Sequence, residues 1–370
     1  MAFRAVPVTT LDTNRTFCED TLTLARSAFE VEDFACAIAL AESAEASQLA
    51  VDQIACRQAA AVLLTEGHWA MGQFVPTFVC AMRAAALSEQ TGQFDAQVRV
   101  LGLGAMAACS AGLPDEGLPL ALQATQCARD RDLFKPLALG LMTLANVHAN
   151  LGDFDEAERL HMQALSRARE SGEDELLVRS FSLALLSGIL CLEEAPVESF
   201  GEVTSARVMR LLTLAYQARR YLGETQLPSM HRSTLHLNIG HVLMLGGKYD
   251  EAGILFRQAT ALVPDQGASQ LRWSIEHSVC ELERRCGRLE RAWLLLQTLL
   301  ERMPKHESLF THEHILRTAL PLARALNFDE EAARFAEQLQ TITKEQERLR
   351  FLSRVELRHA KQQTIGALAR

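Results

Sequence analysis

Aromatic side chains are scarce in this chain. Only 6% of its 370 residues are Phe, Tyr or Trp, although 48% are hydrophobic. Alanine and leucine supply most of that apolar content, a bias that favours closely packed helices over sheets. Paired cysteines are also missing. The nine (18, 36, 56, 80, 109, 127, 191, 280 and 286) are scattered without a C-x-x-C pair, so neither a zinc site nor a disulfide framework is expected. Scattered thiols on helical faces fit a reducing, cytoplasmic setting. No run of about 18 uncharged apolar residues occurs, so no membrane span is expected. The first residues, MAFRAVPVTTLDTNRTF, lack the apolar core of a secretory signal. Positive charge falls short as well: 37 Lys and Arg face 46 Asp and Glu, a net charge of −9. A chain of that sign is not expected to bind nucleic acid.

The sequence is rich in repetition. Ala37, Thr77, Gly117 and Ala157 stand forty residues apart, and Ala252, Ala292 and Ala332 resume the step. Gly72, Gly112 and Gly152 form a second column, continued by Gly247 and Gly287. Ala44, Ala84, Ala124, Ala164 and Ala259 form a third; Ala25, Thr65, Ala105, Ala145, Gly240 and Cys280 form a fourth. Small residues at helical spacing let two helix axes approach closely. The Gly column falls where a helix must stop, because Gly takes the left-handed cap conformation without strain. Phe34, Phe74, Phe154 and Tyr249 follow that stop. The stretch LGDFDEAERLHMQAL, residues 151–165, is thus one copy among about eight helix pairs, and its acids suit a helix N-terminus.

One step is irregular. Ala157 to Ala252 spans 95 residues, so a degenerate fifth repeat carries about fifteen more than two ordinary steps. Helices are expected over 174–192 and 205–222, with the surplus as a loop, EEAPVESFGEVT, at 193–204. Beyond Ala333 no Gly or Pro interrupts the chain until Gly366, which predicts one long helix. Phe335, Leu339, Ile342, Leu349, Leu352 and Val355 draw an imperfect heptad stripe along it. Domain boundaries follow: an N-terminal arm over 1–17, a repeat array over 18–340, and a charged C-terminal helix over 341–370. Leu349, Leu352 and Val355 are expected to pair in a weak parallel homodimer.

The G-D-F-D-E-A turn and the segment STLHLNIGHVLMLGGKYDEAGILFRQATALVP, residues 233–264, resemble the tetratricopeptide repeat. The resemblance implies an all-α, right-handed α-solenoid of about eight helix pairs. The forty-residue period departs from the usual 34. In that family the first helix of each pair lines a groove that binds proteins or peptides. Projected onto that pattern, Glu66, Trp69, Arg99, Asn146, Asn150, Arg179, His241, His277, Glu281, Arg284, Arg317 and Arg324 are the expected groove residues. The arginines suit an acidic protein or peptide partner. The array with a long terminal helix also resembles the sensory half of bacterial signalling proteins, notably those with a diguanylate cyclase domain, here expected beyond Arg370. A stand-alone assembly adaptor and a peptide-sensing transcriptional regulator are the alternatives.

Motifs for chemistry are weak. GLGAMA at 102–107 matches a dinucleotide fingerprint but lacks a preceding strand. His306, His312 and His314 do not share one helix face in a way that suits a metal. Asp153, Asp155, Glu156 and Glu158 belong to the repeat turn, and Cys280 to a packing column. No catalytic residue, metal or cofactor is expected.

Overall fold

The computed structural model describes residues 10–46, 54–194, 202–225, 227–263, 269–303 and 309–368. Its described residues form sixteen α-helices and no strand. The fold is a tetratricopeptide-like helical solenoid, in two compact units: one comprises 1–167 and 350–370, the other 168–349.

In the first unit, α1 (Thr10–Glu30), α2 (Phe34–Ala46), α3 (Ile54–Ala70) and α4 (Phe74–Gln90) precede α5 (Phe94–Ser110) and α6 (Pro114–Arg129). Then come α7 (Phe134–Asn150) and most of α8 (Phe154–Ser171). The starts at Phe34, Ile54, Phe74, Phe94, Pro114, Phe134, Phe154 and, for the next helix, Asp174 fall at one regular step. That step is half the sequence period, so both halves of a pair are closed by the same turn. Its chemistry is a Schellman cap. Gly72, Gly92, Gly112 and Gly152 sit at φ between 67° and 80°. The following amide reaches back five residues, as in Gln73 N to His68 O at 2.9 Å and Gln93 N to Ser88 O at 2.8 Å. Glu32 and Asp132 hold the same left-handed place without being glycine (φ 63° and 51°). The helical part starts at Thr10, inside the segment expected to be an arm.

The small-residue columns are buried as the helix crossings require. Ala25, Ala105, Ala145, Ala44, Ala84 and Ala124 are all 0% exposed. A Cβ on Gly117 would stand 2.6 Å from the Ala105 carbonyl oxygen, so only glycine fits that approach.

The second unit holds α9 (Asp174–Glu194), α10 (Glu202–Glu224), α11 (Ser229–Leu245), α12 (Tyr249–Leu262), α13 (Ser269–Arg285), α14 (Leu289–Arg302), α15 (Leu309–Ala325) and the start of α16 (Asp329–Leu368). Here the second helices α12 and α14 shorten to 14 residues. Phe256 packs so tightly on Gly240 that a Cβ there would meet its ring at 2.5 Å. The expected helices 174–192 and 205–222 each extend toward the insertion, and the rest of the 193–204 loop lies outside the described residues. Contrary to the expectation of no spanning stretch, Asp174–Glu193 is long and apolar enough to cross a membrane; 61% of it is buried inside the fold. Its contacts with α10 and α11 make it a core helix of the array.

α16 is one helix of 40 residues, so the expected boundary near 341 falls inside it. The heptad stripe also divides. Phe335 is buried in the core, with Leu339 and Ile342 packed against it, whereas Leu349, Leu352 and Val355 are exposed with Phe351. In the first unit, the Arg350 stem covers Gly112 and Leu357 is buried.

Candidate functional site

The odd-numbered helices are the first members of the pairs, and within each unit neighbouring first helices touch: α1 with α3, α3 with α5, and α11 with α13. Side chains forty residues apart therefore meet across adjacent helices. On the first unit, Arg99 of α5 reaches Glu66 of α3 at 3.1 Å. Burial holds the Glu66 carboxyl above the usual carboxylate range, against the opposing charges of Arg99 and Arg26. These residues border a cleft of about 400 Å³ between α1, α3 and α5. Trp69 lies at the end of α3, its ring 6.0 Å from Phe74. Asn150 donates to the Asn146 carbonyl at 2.8 Å within α7.

The second unit carries a polar ladder on α11, α13 and α15. His241 Nε2 lies 2.6 Å from Ser278 Oγ, and His277 Nε2 lies 2.9 Å from Thr318 Oγ1. The Ser278 hydroxyl proton is committed to the Ser274 carbonyl at 2.6 Å, so His241 must donate through Nε2. The His314 ring stands edge-on to His277 at 4.5 Å. Burial, reinforced by the charge of His314, depresses the His241 pKa to about 4. The same two causes, with His241 added, hold His277 well below its ordinary value. His241 and His277 are thus held toward the neutral form.

Several expected groove residues have other roles here. His277 is 4% exposed, because α15 packs over it, so it is a buried linker between helices and no groove surface. Arg284 is not a bare cation: it grips Glu281 of its own helix through two bonds of 2.7 Å. Burial raises the Glu281 carboxyl, but Arg284 and Arg285 outweigh it and leave it below the usual range. Arg317 is held by Glu313, which also accepts from Gln346 at 2.7 Å. Arg179 and Arg324 remain exposed. The twelve positions fall on both units: five from Glu66 to Asn150 on the first, and seven on the second, with Arg179 at its start.

Ser278, Thr318 and Arg26 were not among the expected residues, yet each had a signal. Asn238, Ser278 and Thr318 are a small polar column at the forty-residue step, and Arg26 stands one step before Glu66. Asn238 itself is structural, donating to the Ser182 carbonyl at 3.0 Å in the core. The Gly residues of GLGAMA lie inside α5, where Gly104 faces Ala81; they form no phosphate loop. Among the described residues no His, Cys, Asp and Glu group suits a metal, and His306 lies outside them. The same second unit has a groove of about 700 Å³ between α14, α15 and α16, with Leu300, Met303, Leu316 and Phe335 in its wall.

The profile of the tetratricopeptide repeat matches residues 141–175, which span the turn between α7 and α8. One tetratricopeptide repeat is thus recognised in the sequence, within a helical array of that fold. No curated protein matches the sequence. Among solved structures, the repeats are similar in fold to the apo form of RapI (TM-score 0.52, 10% identity, 88% of this chain and 97% of that one). They are similar to a Rap protein complexed with competence and sporulation factor (TM-score 0.53, 13% identity, 90% and 99% covered). A third is NprR in complex with its cognate peptide NprX (TM-score 0.53, 12% identity, 90% and 89% covered). At these identities the likeness is one of fold.

Proposed function

We propose that this chain is a non-catalytic, regulatory scaffold that binds a peptide or a short protein segment on the faces of its first helices. The observation that carries this reading is the polar pairing across neighbouring first helices, Glu66 with Arg99 and His241 with Ser278. Such pairs fix side chains in place before a ligand arrives, which lowers the ordering cost of binding. A repeat array presents an extended surface of this kind. Two proteins of similar fold are described in complex with competence and sporulation factor or with a cognate peptide, which favours a peptide ligand over a constant assembly partner. All nine cysteines are thiols, in keeping with a reducing cytoplasm. Because Arg99, Arg284 and Arg317 are already charge-compensated, the reading relies on the exposed Arg179 and Arg324 for any preference for acidic ligands.

Selection from a displayed library of random peptides against the purified chain tests this. Enriched peptides are expected to bind the parent and to lose about ten-fold or more in affinity with Arg99→Glu or with His241→Ala. Enrichment of nothing, or binding that ignores every first-helix change, would refute it.

A further inference from the structure

The cleft on the first unit has a charge pattern that a peptide backbone alone does not use. Its rim carries Arg26, Glu30, Glu66 and Arg99, two guanidiniums and two carboxylates. Glu66 and Arg99 stand side by side at 3.1 Å, and each has unused capacity. Arg99 is engaged through one nitrogen and its side chain is half exposed, so most of its five N–H donors are open. The Glu66 carboxylate, only 20% exposed, meets that single donor while an ionised carboxylate accepts about four hydrogen bonds. A half-satisfied, nearly buried carboxylate beside a half-satisfied guanidinium calls for a ligand with an ammonium and a carboxylate equally close together. The wall behind them is mainly apolar, with Phe29, Ala59, Val62, Leu63 and Ala96 beside Gln58 and Gln93. The Phe29 ring is fixed edge-on against Phe34 at 5.1 Å.

We propose that this cleft between α1, α3 and α5 binds a free α-amino acid with an apolar side chain. The amino acid's carboxylate bonds Arg99 and Arg26, its ammonium bonds Glu66 and Glu30, and its side chain lies on Val62, Leu63 and Ala96. Adjacent opposite charges on the ligand complete a ring of four alternating charges with the Glu66–Arg99 pair. A rim of zero net charge rewards a zwitterion over a singly charged peptide end. The proposal rests on the reading above only in taking first-helix faces as ligand surfaces.

Isothermal titration of the full chain with L-leucine, N-acetyl-L-leucine and L-leucinamide tests it. Leucine is expected to bind, and each derivative, lacking one charge, to bind about ten- to a hundred-fold more weakly. Glu66→Gln is expected to weaken leucine while leaving N-acetyl-leucine unchanged, a pattern that loss of fold cannot produce. Ala96→Leu, which fills the cleft from its apolar side, is expected to abolish binding with the helical signal and melting curve retained. No heat from leucine, isoleucine, valine or phenylalanine at about 10 mM, or equal binding of leucine and its two derivatives, overturns the proposal. Library peptides that bind while free amino acids do not would overturn this inference and leave the scaffold reading standing.

Discussion

His161 offers the sharpest test of how the repeats are packed. It lies on α8 in a column whose other members are Ala41, Ala81, Ala121, Phe256 and Leu296, all 0% exposed. His161 is itself 1% exposed, and neither ring nitrogen has a protein partner among the described residues. Burial alone depresses its pKa to about 4, against 6.5 for the free side chain. Above pH 6.5 the ring is neutral in folded and unfolded chains, and the folded state keeps its full stability. As the pH falls from 6.5 toward 4 the unfolded chain takes up a proton that the folded chain refuses, so stability is lost; below 4 the loss stops growing. The full loss is about 3 kcal/mol, of which about 1 kcal/mol has occurred by pH 5.5. His236 and His241, each also held to about 4, add to the parent's acid sensitivity, so the comparison must be with a variant. His161→Leu puts the residue of the Leu296 copy in its place. It removes an unpaired buried N–H worth about 1–3 kcal/mol. Scanning fluorimetry at pH 7.5 and 5.5 should show a higher Tm for the variant at both values. Its drop between them should be smaller than the parent's by about 2–4 °C. An equal drop in both proteins would refute the assignment of a neutral, buried His161.

Gly117→Ala places a Cβ 2.6 Å from the Ala105 carbonyl and should cost about 1–3 kcal/mol, read as a lowered denaturation midpoint. Gly223→Ala, where a Cβ meets nothing within 4 Å, should leave the midpoint unchanged or raise it by up to about 1 kcal/mol. At the repeat turn, Asp132→Gly relieves a left-handed φ of 51° and should stabilise by about 1 kcal/mol, while Gly152→Ala, at φ 80°, should cost a similar amount. On α16, exposed Leu352 and Val355 are the residues through which two copies would pair; sedimentation at tens of micromolar should show association in the parent that Leu352→Glu removes, and identical monomers in both would end the pairing idea.

Much of the fold was legible because close helix crossings tolerate few residue types. Ala25, Ala105 and Ala145 had to be small, and their spacing announced the pairs. The half-period was hidden, since the packing columns of first and second helices differ. Only the turns reveal it, through Gly92, Gly172, Phe94 and Phe134. The irregular turns were harder still, because Asp132 and Glu32 adopt a glycine conformation without the glycine. Of the site, Glu281–Arg284 and Glu313–Arg317 stand at intrahelical spacing that predicts pairing, so their neutralisation was readable. The burial of His277 was not. It depends on how α15 lies on α13, which no single helix pattern encodes. The α16 stripe divides between two environments: its first half is committed to the core through Phe335, while Leu349, Leu352 and Val355 are exposed.

Hydrogen–deuterium exchange of the chain with and without a library-selected peptide tests the central claim most directly, because it reports which helices a ligand covers. The account predicts new protection on first helices, α3, α5 and α7 or α11, α13 and α15, with the intervening second helices unchanged. Protection confined to second helices such as α4, α6 and α12, or to α16 alone, would contradict it.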